Sequence, residues 1–117
     1  MLFGRDDFLA RLASDFPEVV DQINEYETGL LHCEMGAFRR ATEQAIDTGR
    51  LWEAEKHFRL VEELLPSAGP ELLNALEVSY LEDFALGGCT PERYRAVKER
   101  MPKSLRKVLI SHHPNWQ

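Results

Sequence analysis

His57, Asn74, Glu77 and Tyr80 are the side chains whose types and places suit them to handle a proton or hold a small guest. His57 falls between Leu64 and Val61 when the surrounding residues are set at helical intervals. Glu77 falls between Phe84 and Leu81 in the next helical stretch, with Asn74 on the same broad apolar surface. An imidazole and a carboxylate on successive helices can form an acid–base pair. With Asn74 and Tyr80 they can also line an interhelical pocket, provided that all four converge on a cavity open to solvent. The structural alternative is a core histidine bonded to a carbonyl or carboxylate, and a buried glutamate held by an arginine, a backbone group or a water. No second catalytic group stands at a telling spacing from Glu77, so no catalytic residue is assigned.

Metal chemistry is poorly served. His32 and Cys33 are adjacent and cannot easily face one ion from a regular helix, Cys89 has no close cysteine or histidine, and His112-His113 belongs to a terminal His-His-Pro-Asn-Trp segment. No metal or other cofactor is expected. The Pro66-Ser67-Ala68-Gly69-Pro70 loop is too poor in glycine, and lacks the preceding strand and lysine, to be a phosphate loop. Pro66 stops one helix, Pro70 suits the first turn of the next, and Gly69 is expected in a conformation closed to other residues. Two cysteines are too few for a disulfide framework and are expected as thiols.

A different chemistry, docking, is suggested by Trp52. It projects from the polar side of its helix between Arg59 and Glu63, as a protein-contact anchor would, unless another helix of the same chain covers it. Glu62, Glu63, Glu82 and Asp83 are the candidate acidic contacts around it.

The elements that must position these residues are helices. The 117 residues are 44% hydrophobic and 29% charged, enough for one domain, residues 1–117, with its own core. Periodicity predicts helices over about 2–14, 17–28, 30–48, 50–65, 70–86 and 90–101, and a seventh after Pro102. The stretch 70–86 is apolar on nearly every side and should lie centrally. Nothing alternates with period two for long enough to make a strand. A twenty-residue echo, with Phe38-Arg39 against Phe58-Arg59 and Gly49 against Gly69, fits successive antiparallel helices of similar length. The expected fold is all-α, six or seven antiparallel helices in a compact bundle or a stacked superhelix.

Charge is split along the chain. Residues 1–91 hold eighteen acids and seven bases, a balance of −11, and residues 92–117 hold two acids and seven bases, a balance of +5. The acidic part should repel nucleic acid, and the basic part carries no nucleic-acid motif, so its expected use is to lie across the acidic body. The acids at the N-terminus interrupt any signal-peptide core, and no apolar run is long enough to span a membrane. A cytoplasmic protein is expected.

Phe58-Arg-Leu-Val-Glu-Glu-Leu-Leu and Leu73-Asn-Ala-Leu-Glu-Val-Ser-Tyr-Leu-Glu resemble a family of small, functionally unassigned bacterial proteins. The resemblance covers about residues 5–110 and implies an α-α superhelix of armadillo or HEAT type, with no established activity and no catalytic residues to carry over. Some of those relatives are similar to proteins of bacterial toxin and immunity neighbourhoods.

The leading expectation is therefore a protein-binding module with an acidic face for a basic partner, in its concrete form an immunity or antitoxin protein. The alternative is a small enzyme or ligand-binding protein built on the pocket around His57 and Glu77. An oligomeric scaffold is not separated from the first reading, because exposed apolar surface can also face an identical chain.

Overall fold

A computed structural model of the chain describes residues 2–83 and 90–114. Helix α1 (Arg5–Asp15) opens on a capping contact, in which the Gly4 amide donates to Asp7 Oδ2 at 2.8 Å, and Asp6 and Asp7 place negative charge at the positive end of the helix. Phe16 leaves helical geometry and Pro17 starts α2 (Pro17–Asp21). This helix is five residues long, not the twelve expected from its apolar spacing. Asn24 is the cause: its Oδ1 accepts the amides of Tyr26 and Glu27, both at 2.9 Å, and this local turn outcompetes the helical ladder.

Helix α3 (Leu31–Asp47) ends as the Thr48-Gly49 pair predicts. Gly49 takes φ +79°, its amide donates to Ile46 O and the Arg50 amide donates to Ala45 O at 2.7 Å, so orphan carbonyls are satisfied. Helix α4 (Leu51–Leu64) runs into a 3-10 turn over Leu65–Ser67. There the N-terminal strand-like segment docks: the Phe3 amide donates to Ser67 O and the Gly69 amide to Phe3 O, each at 2.7 Å. Gly69 itself has an ordinary φ of −68°, so the expected special conformation is not what it supplies. A Cβ there would lie 3.2 Å from the Phe3 carbonyl oxygen, and close backbone approach is its role.

Helix α5 (Pro70–Ala75) continues without interruption as a π-helix over Leu76–Glu82. Helix α6 (Pro91–Arg100) is capped by Thr90 Oγ1, which accepts the Arg93 amide at 3.2 Å, and α7 (Lys103–His112) follows Pro102. The expected helical continuation through Phe84, Ala85 and Leu86, the Gly87-Gly88 stop, Cys89 and the final Asn115-Trp116 lie outside the described residues. Among the described residues the fold is all-α, with the single Phe3–Ala68 bridge in place of any strand.

Helix α3 is the hub, packing on α2, α4, α5, the π-helix and α6. Helix α7 closes the other side of the π-helix and also leans on α4. The core is continuous: Phe8 and Leu12 from α1, Met35 and Phe38 from α3, Phe58 and Leu64 from α4, Leu72 from α5, Leu76, Tyr80 and Leu81 from the π-helix, and Leu105 from α7 are buried. No described helix is long and apolar enough to cross a membrane.

Candidate functional site

Three helices meet at Thr42. Its Oγ1 lies 2.8 Å from His57 Nδ1 and 2.7 Å from Tyr80 Oη, joining α3, α4 and the π-helix inside the core. The His57 ring is 1% exposed and boxed by aromatic rings, with Phe16 edge-on at 4.6 Å and Phe38 at 5.0 Å, while Phe38 in turn stacks on Tyr80 at 4.9 Å. Burial, and secondarily the positive charge of Arg50, push the imidazole down to about 4, so it is neutral near pH 7. Burial raises the Tyr80 hydroxyl, which keeps its proton. Such a chain fixes the relative rotation of three helices, and each of its members is costly to leave unpaired.

The four side chains expected to form a pocket do not share one. His57 and Tyr80 meet through Thr42 inside the core. Asn74 is exposed, its Nδ2 3.4 Å from His32 Nε2, and His32 Nδ1 lies 2.5 Å from Ser79 Oγ. Glu77 is only partly buried and meets His112 Nε2 at 2.5 Å. The helical projection placed Glu77 within the apolar arc because it could not show that α7 ends there, turning that edge of the arc into a seam between helices. Glu82 meets His113 at 2.5 Å along the same seam. Residues five apart point about 140° from one another on an α-helix. The i→i+5 ladder of the π-helix is what lets Glu77 and Glu82 both face α7. All four histidines thus touch the π-helix, three directly and His57 through Thr42.

Trp52 stands out from α4, 60% exposed, with the Lys56 ammonium over its ring at 5.2 Å. Lys56 also lines a cleft of about 310 Å³ between α1 and α4, with Arg11, Asp15, Arg59 and Glu63 on its walls and Phe16 and Leu60 beneath. The four acids grouped with Trp52 are each engaged within the chain. Glu63 pairs with Arg11 at 2.6 Å, Asp83 with Arg39 at 2.9 Å, Glu82 with His113, and Glu62 accepts from Ser104. The basic C-terminal part does lie across the acidic body: Arg93 reaches Glu43 at 2.9 Å and Asp47 at 2.5 Å, and Arg100 reaches Glu55 at 2.8 Å. Glu18, Asp21 and Glu25, on α2 and the turn after it, have no ion pair among the described residues.

Three buried polar positions escaped the sequence reading: Thr42, Glu34 and Ser79, the last of which meets His32. Thr42 sits amid the Met35, Phe38, Ala45 and Ile46 stripe, and a lone hydroxyl on that stripe was the available signal. Glu34 is 1% exposed and takes a two-pronged contact from Arg5, Nε and Nη2 each at 2.8 Å, plus the Gly29 amide at 3.1 Å. The Arg5 guanidinium holds its carboxyl below the usual carboxylate range. Among the described residues, no group of three or more histidines, cysteines or carboxylates is arranged to hold a metal ion.

No curated protein and no solved structure matches the chain. Residues 9–117 match the model of the family described as Domain of unknown function (DUF7674), and the chain belongs to that family.

Proposed function

We propose that the protein is a binding module that docks another protein through Trp52 on α4, with its acidic exterior directing it to a basic partner. The exposed indole carries this reading. It is held on a long helix that is locked into the core on its other side, and a large rigid aromatic group in that setting loses little entropy on contact. The intramolecular pairs of Glu63 and Asp83 do not bar them from a partner. Exposed pairs are worth only about 0–1 kcal/mol, so incoming cations can displace them. Neutralising a basic toxin, the role of an immunity protein, is the concrete form of this reading. Its direct test immobilises the purified chain and the Trp52→Ala variant and passes native-cell extract at low and high salt. A basic protein is expected to be retained at low salt, released by high salt, and bound at least about tenfold more weakly by the variant. Equal retention by both chains would remove Trp52 from the interface, and capture of acidic proteins would reverse the electrostatic part.

A further inference from the structure

A hydroxyl has one hydrogen and two lone pairs. Thr42 Oγ1 can give its hydrogen to Phe38 O at 3.2 Å, the one partner that can only accept; in that arrangement its contacts with His57 Nδ1 at 2.8 Å and Tyr80 Oη at 2.7 Å fill its two lone pairs, and both partners donate. That arrangement puts the His57 proton on Nδ1 and leaves a bare lone pair on Nε2. That atom is buried and has no hydrogen-bond partner among the described residues. His57 also lines a cavity of about 30 Å³ whose other walls are Glu18 and Val19 of α2, Gln22, Ala41, Gln44, Arg50 and Glu53. One water needs about 10–15 Å³ and two to four polar partners, so the space suits one or two. The lone pair demands a donor. The two amides and the Glu18 and Glu53 carboxylates can accept the guest's other hydrogen, and the Arg50 guanidinium on the same wall is already paired with Glu53.

We propose that this cavity is a built-in site for a water-sized hydrogen-bond donor, one or two water molecules, which satisfies His57 Nε2 and ties the end of α2 to α3 and α4 through Gln22, Gln44 and Glu53. The site completes the polar chain that begins at Tyr80, so the π-helix and the short α2 are joined through a continuous run of hydrogen bonds across the core.

The test has three parts. Nitrogen-15 NMR of the imidazole in the intact protein should show protonated Nδ1 and an Nε2 that accepts a hydrogen bond. A crystal structure should place an ordered water within hydrogen-bond distance of Nε2. Oxygen-17 relaxation dispersion should report long-lived water that is lost in Ala41→Val, which fills the cavity and leaves His57 in place, and in His57→Phe. A proton on Nε2, an Arg50 guanidinium nitrogen bonded directly to Nε2, or a relaxation signal unchanged in a folded Ala41→Val chain would each overturn the proposal. The first two measurements use the native chain and stand even if a variant fails to fold.

Discussion

The imidazole of His57 makes stability depend on pH in a direction that can be worked out. Its ordinary value is 6.5 and its value in the fold is about 4, so the unfolded chain takes up a proton more readily than the folded one. Stability is fully present above pH 6.5, declines as pH falls through that window, and levels off near pH 4. The shift amounts to about 3 kcal/mol at order-of-magnitude level. Urea unfolding above pH 6.5 and near pH 4 should show this loss, and His57→Gln should remove most of the part above pH 4. Glu34, whose carboxyl is held low by Arg5, adds a loss of the same sign at more acid pH. A variant profile as steep as the native one between those limits would assign the effect elsewhere. Of these two residues, His57 was visible in the sequence as a histidine on an apolar arc. Glu34 was not, because its partner stands 29 positions away on a different helix.

At the scale of elements, the helix ends written by proline, glycine and threonine came out where local chemistry puts them. Pro17, Pro70, Pro91 and the Thr48-Gly49 pair each act within four or five residues of themselves. Gly69 illustrates a subtler case, since its need for no side chain comes from the Phe3 carbonyl brought up against it from the far end of the sequence. Gly69→Ala should cost about 1 kcal/mol, read as a lower urea midpoint, and should expose the segment before α1 to proteolysis. The π-helix makes a separate claim. If its wide register is what presents both Glu77 and Glu82 to α7, the double change Glu77→Gln, Glu82→Gln should speed amide exchange over the last turn of α7 while leaving α3 unaffected. Unchanged exchange in that turn would mean that apolar contacts alone seat it.

Across the whole molecule, charge asymmetry is folded back on itself. An acidic body and a basic C-terminal part meet along Arg93, Arg100 and the His112–Glu77 and His113–Glu82 contacts, and the chain as a whole keeps a net negative charge. Arg93, 17% exposed and shared between Glu43 and Asp47, is the least exposed basic side chain of these links. Arg93→Ala should destabilise the fold by about 1 kcal/mol, and added salt should narrow the gap between variant and native chain in urea unfolding. A gap that does not shrink with salt would make the loss one of packing rather than charge.

Sequence alone determined that the described part of the chain is all-α, where most helices begin and end, most of the buried faces, and how charge is split along the chain. These follow from 3.6-residue periodicity, from the backbone demands of proline and glycine, and from charge counting, all of which are local or additive. Only the tertiary structure decided that α2 stops at Asp21, that residues 76–82 wind as a π-helix, that Thr42 joins His57 to Tyr80, and that Glu77 and Asn74 stand apart from them. Each of those depends on the direction of a side chain and the separation of two helices to within the reach of a hydrogen bond, and spacing along one chain does not carry that information.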